Sequence, residues 1–129
     1  MGAKLTSGDV FGFAMGSGAN IGRYTWAFHN LLWQTGANIF TPDLKKCALT
    51  DPAAIEAAEF WGAIFAKNKI ATPANSNPRD AFIAGKVAMW IAGSWNVAGL
   101  REAKIEFAVA PVPKLFKQPT VFTIPHQFS

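Results

Sequence analysis

The chain has 129 residues, half of them hydrophobic and 16% charged, with a formal net charge of +4. That is one domain's length, enough to bury about two-thirds of the unfolded surface. Its lysines are scattered (Lys45-Lys46, Lys67, Lys69, Lys114, Lys117) with no basic stripe interleaved with aromatics, which argues against nucleic acid. A lone cysteine, Cys47, excludes an internal disulfide and a cysteine metal centre, and no apolar run is long enough to span a membrane. Eleven Phe and five Trp against one Tyr are a heavy aromatic load, suited in part to a partner surface.

Val10 to Met15 reads as a first strand buried on both faces, followed by a flexible glycine loop, Gly16 to Gly22. A helix then runs from about Arg23 to Gln34. At one hundred degrees per residue, Tyr24, Ala27, Phe28, Leu31 and Leu32 share an apolar face. Trp26, His29, Asn30 and Trp33 share the opposite one. Rings beside amide and imidazole groups suit a sugar, stacking on C–H faces and meeting hydroxyls. Coverage of that face by a second element is the competing explanation, above all for Trp33.

Gly36 ends the helix, and Asn38 to Leu44 is a short irregular or strand segment with a Thr41-Pro42-Asp43 turn. Asp51 and Pro52 open a helix that ends near Asn68, Asp51 as cap and Pro52 at the first helical position. Ala57, Phe60, Trp61, Ile64 and Phe65 form its core face, with Glu56, Glu59 and Lys67 on the other. After a loop from Ala71 to Asn77, Pro78 to Ala84 is a short helix capped by Asn77, with Phe82 inward. Val87 to Ile91 is a buried strand. Gly93 then allows a sharp turn, Ser94 caps the next helix, and Trp95 sits between the strand's C-terminal end and that helix's N-terminus. Trp95 as core filler is the bland alternative. Asn96 to Ala103 is a helix, Ile105 to Pro111 a strand stopped by prolines, and Thr120 to Ile124 a last strand after the Lys114 to Pro119 loop. Helices alternating with strands predict a layered α/β fold, a single domain over residues 1–129.

The glycine loop is the main rival site. Gly16-x-Gly18-x-x-x-Gly22 between strand and helix could cradle a phosphate or nucleotide, with Asp43 about twenty residues on. It lacks the G-x-G-x-x-G spacing and a Walker lysine, so a plain turn lining a cleft is preferred. Arg23, just beyond, could clamp a carboxylate or phosphate, or point to water. Cys47 beside two lysines pairs with no readable base, and His29 and His126 have no metal-ligand spacing. Glu56 and Glu59 lie on a solvated helix face, so paired-carboxylate chemistry is not indicated. The reading is a non-enzyme with neither metal nor cofactor.

The pattern Phe82-x-x-Gly85-x-x-Ala88-Met89-x-x-x-Gly93-x-Trp95 resembles the signature of the sugar-type extracytoplasmic solute-binding proteins of ABC importers. Leu49-Thr50-Asp51-Pro52 with Ala57-Ala58-Glu59-Phe60-Trp61 resembles the helix upstream of it, and Phe107 to Pro113 the strand and proline turn downstream. The likeness runs from about Val10 to Gln127. It implies a fold of the type II periplasmic-binding-protein kind, of which this chain is mostly one lobe with half of a ligand cleft. Carried onto this sequence, it makes Trp95 the sugar-facing ring, aided by Trp26 and Tyr24. Ser94, Asn96, Arg23 and His126 are the candidate polar contacts. It further implies a sugar or polyol ligand, a membrane permease as partner, a periplasmic or extracytoplasmic location and an export signal outside this chain. A lobe parted from its mate exposes apolar surface through which it could pair with a second copy.

Overall fold

The computed structural model describes residues 2–14, 21–71 and 77–119, and of residues 21–24 and 26 the backbone alone. The described helices are α1 (Gly2–Leu5), α2 (Ile21–Gln34), α3 (Pro52–Phe65), α4 (Pro78–Ile83) and α5 (Asn96–Glu102). Two compact units form, one from Met1–Tyr24 and Gly62–Pro111, the other from Thr25–Trp61 and Val112–Ser129.

In the first unit the backbone of residues 10–14 is central. It makes parallel bridges Phe11 to Val87 and Ala14 to Trp90 on one edge, and Phe13 to Ala71 on the other. The Phe11 N–H donates to Lys86 C=O and the Ala88 N–H to Phe11 C=O, both at 2.9 Å, while the Phe13 N–H reaches Ile70 C=O at 3.2 Å. The bridges to Val87 and Trp90 join the two sequence-read strands, but among the described residues the bridges remain isolated. The reason is the bend at Gly12. Successive residues of a pleated strand point to alternate edges. Phe11 and Ala14, three apart, here address the same edge, so the pleat loses phase and no continuous ladder can form.

Pro78 opens α4 as the sequence predicts. The Asn77 side chain accepts from the Arg79 N–H at 3.2 Å, and the proline, which needs no partner for an N–H, is buried. The Phe82 ring on α4 lies 5.8 Å from that of Trp90. Two expectations need correction. Ile105 to Pro111 forms no strand bridge among the described residues; instead the Ile105 N–H is drawn back to Leu100 C=O at the end of α5, after Lys104 turns with φ 55°. Gly22 lies within α2 rather than in a loop. The strand expected over Thr120 to Ile124, and residues 16–20 of the glycine loop, lie outside the described residues.

The second unit is built on α2 and α3. Leu31 and Leu32 meet Ala54 and Ala57, with Phe28, Ala37, Ile39, Trp61 and Phe116 packed around them. Small alanines on α3 let the leucines approach, and Phe28 and Trp61 meet edge to face at 6.1 Å. Burial of each leucine contributes about 2 kcal/mol. Of the core face read on α2, Ala27, Leu31 and Leu32 are buried and Phe28 is half-buried, while the Tyr24 side chain lies outside the described residues. On α3, Ala57 is buried and Trp61, Ile64 and Phe65 are half-buried, but Phe60, also read as core, is exposed.

Helix α2 stops where Gly36 takes φ 87°. The Ala37 N–H then bonds Leu32 C=O and the Gly36 N–H bonds Trp33 C=O, satisfying carbonyls that the helix end leaves without partners. Past it, the chain turns back on itself. Phe40 and Cys47 form an antiparallel bridge, and the Thr41 hydroxyl holds Asp43 in the intervening turn. That bond and the Lys45 N–H keep the Asp43 carboxyl below the usual carboxylate range.

Candidate ligand-binding site

Val87 to Trp90 delivers the chain to residues 91–93, and α5 begins three residues later. The connecting turn is tight. Gly93 C=O accepts both the backbone N–H of Asn96 and its side-chain Nδ2, each at 3.1 Å. Ser94 C=O accepts the Val97 N–H at 3.1 Å.

Ser94 does not cap α5. Trp95 occupies the N-cap position with helical angles (φ −61°, ψ −14°) and no side-chain cap bond. A capping side chain works from an extended N-cap residue. Here the turn is already helical, so Ser94 serves through its carbonyl and Asn96 supplies the side-chain bond, backwards to Gly93. Trp95 is 57% exposed. Exposure of so large a ring next to a fixed turn is unusual, and in this chain Trp95 does not fill core.

Trp95, Ser94 and Asn96 thus sit together on one turn of the first unit, with Ser94 exposed and Asn96 half-buried. Arg23, Tyr24 and Trp26 lie on α2, where their side chains are outside the described residues, as is His126 altogether.

The polar face read on α2 is present in altered form. His29 and Trp33 stack at 5.6 Å with rings 9° apart. Both are half-buried, and burial draws the His29 pKa below its ordinary 6.5. Asn30, expected on an open face, is buried instead. Gln34, which the sequence marks only as a helix end, is 1% exposed. Its Nε2 donates to Pro113 C=O at 3.0 Å and its Oε1 accepts the Leu115 N–H at 2.7 Å. Its own C=O accepts the Gln118 N–H at 3.0 Å. The side chain thus pins residues 113 and 115 to the end of α2, and the main chain of the same residue pins Gln118. Nothing local to Gln34 signals it, because the partners are about eighty residues away.

Among the described residues, no group of three or more His, Cys, Asp or Glu could hold a metal ion. What the turn offers is an exposed aromatic ring with the polar side chains of Ser94 and Asn96 beside it.

Residues 2–126 match the model of the bacterial extracellular solute-binding protein family, and the chain belongs to that family. It is 29% identical over 125 residues to the maltodextrin-binding protein MdxE of Bacillus subtilis (strain 168), a match covering 87% of this chain and 30% of that protein. Among solved structures it resembles an ABC substrate-binding protein from Listeria monocytogenes in complex with cycloalternan. The TM-score is 0.65 at 27% identity, covering 79% of this chain and 26% of that one. The chain spans less than a third of the length of either relative. Neither match favours the nucleotide alternative built on the Gly16 to Gly22 loop.

Proposed function

We propose that this chain forms part of one lobe of an extracytoplasmic receptor that captures a sugar or related polyol and passes it to the membrane permease of an ABC importer, without chemistry. In this reading the lobe is a layered α/β half of a type II binding-protein fold. The observation that carries it is the exposed Trp95 ring on a rigid turn, in a chain whose relatives are named for maltodextrin binding and for a complex with cycloalternan. A neutral pyranose has one C–H face for the indole and hydroxyls for hydrogen-bonding groups. Trp95 is the stacking residue, with Trp26 and Tyr24 as further rings and Ser94, Asn96, Arg23 and His126 as polar contacts. Two-lobed receptors gain affinity by closing about a hinge. One partial lobe cannot do so, and binding by this chain alone is weak.

The test is an NMR titration of the labelled chain with maltotriose, following the five indole N–H signals. Shifts confined to one or two indoles, lost in Trp95→Ala, are expected. Unchanged maltotriose shifts at the remaining indoles of Trp95→Ala would refute the site. Shifts with NAD or inorganic phosphate but not with sugar would refute the sugar reading. Self-association through exposed apolar residues such as Val109 belongs to the same proposal, and sedimentation velocity tests it.

A further inference from the structure

The glycine at position 93 is not there for the backbone. Its φ lies outside the left-handed region, whereas Gly8, Gly36 and Gly85 have positive φ. An L-residue could trace the same turn. A side chain, however, could not be accommodated. A Cβ built on Gly93 would overlap Cη2, Cζ3 and Cζ2 of the Trp95 ring. The benzo edge of the indole therefore lies directly over the Gly93 α-carbon, in the volume that any other residue would occupy.

We infer that Gly93 and Asn96 form the mount of the Trp95 platform, as positioning residues that fix the ring's pose for the ligand. Gly93 supplies the flat seat. Asn96 fixes the seat's carbonyl with two hydrogen bonds, from its backbone N–H and its Nδ2. The inference rests on the sugar-binding reading and deepens it. With the ring seated on Gly93 and 57% of the residue open, the platform offers an outward surface on which one pyranose face can stack. One Nδ2 hydrogen of Asn96 is spent on the turn, which leaves its second N–H and its Oδ1 for the polar contact proposed above.

The mount separates stability from binding. In Gly93→Ala the added methyl displaces a ring that is 57% exposed, so the pose is lost at small cost to the fold. The experiment uses the full 129-residue chain with Trp95→Ala to assign the Trp95 indole N–H. Gly93→Ala is expected to shift that resonance, leave the other four indoles in place and keep the melting temperature within about 2 °C, as for a surface substitution. Its dissociation constant for maltotriose is expected to rise about tenfold or more, as removal of a stacking contact would. Asn96→Asp keeps the shape but not the Nδ2 donor, and is expected to move the same resonance.

An unmoved Trp95 resonance in Gly93→Ala overturns the mount, whatever the sugar does. So does a large loss of melting temperature, which would return the glycine's role to the backbone. So, too, does wild-type maltotriose affinity in Gly93→Ala beside a loss in Trp95→Ala. If the parent chain shows no maltotriose response, the sugar reading fails by itself, and the ligand-free indole shift still decides the mount.

Discussion

Replacing Gln34 by Ala tests the bond network that ties residues 113–118 to α2. The substitution leaves Pro113 C=O without its 3.0 Å donor and the Leu115 N–H without its 2.7 Å acceptor, at a side chain only 1% exposed. Stranding a buried polar group costs roughly 1–3 kcal/mol, and both sites here are partly reachable by water, so about 3 kcal/mol in all is expected. At ~4 °C per kcal/mol for a chain of this size, the midpoint falls by about 12 °C. The assay combines thermal melting by circular dichroism with amide hydrogen exchange. Leu115 should lose protection while Gln118 keeps it, because the Gln118 N–H donates to the main-chain carbonyl of residue 34, which survives the substitution. In Gln34→Glu the acceptor for Leu115 remains and the donor to Pro113 does not, so that variant should retain Leu115 protection at an intermediate midpoint. A Gln34→Ala chain melting within ~2 °C of the parent, with Leu115 still protected, refutes the clamp.

Leu32→Ala empties a site of zero exposure among Leu31, Ala54 and Ala57, and should cost about 3 kcal/mol by urea denaturation; a loss below ~1 kcal/mol would mean that the site collapses around the gap. Gly36→Ala places a Cβ at φ 87° and should lower stability by about 1 kcal/mol, with Gly36→Asn losing less. The pH dependence follows from His29, whose folded pKa is lowered by burial. The unfolded chain binds the proton more readily, so the neutral histidine's contribution is intact above the unfolded value of 6.5 and is lost as pH falls through the lowered folded value. Melting temperature should therefore drop on acidification from neutral, and His29→Asn should flatten that slope; an unchanged slope would assign the acid sensitivity elsewhere.

Helix α2 was legible because its apolar residues recur at helical spacing and Gly36 gives a stop that only a left-handed backbone demands. Helix α4 was legible for the same kind of reason, a capping Asn77 followed by Pro78. The first strand was legible only in part. Its apolar run predicts burial, but the bend at Gly12 disrupts pairing register, and register is a property of partners about sixty and seventy-six residues away. Ser94 was misread because a serine before a helix suits a cap in any sequence, whereas the turn was already closed by Asn96, a choice that depends on rotamers. The sequence placed Asn30 on an open face, and the fold buries it; helical periodicity sorts residues by angle without saying what will cover the second face.

These cases divide by the reach of the bonds that decide them. The Gln34 clamp joins residues 79 and 81 positions apart, and no local pattern can announce it. The Trp95 platform is different. Its hydrogen bonds to Gly93 span three residues, and the ring's seat is two residues before the ring itself. The seat under the ring and the bonds that fix that seat's carbonyl are written in Gly93-Ser94-Trp95-Asn96. A seat made by residues this near in sequence is present in a chain spanning less than a third of its relatives' length. In the proposed reading, a second surface enclosing the sugar lies beyond this turn. Ring pose and ligand affinity are therefore separable in the test, the first read from the Trp95 indole without ligand and the second from the titration.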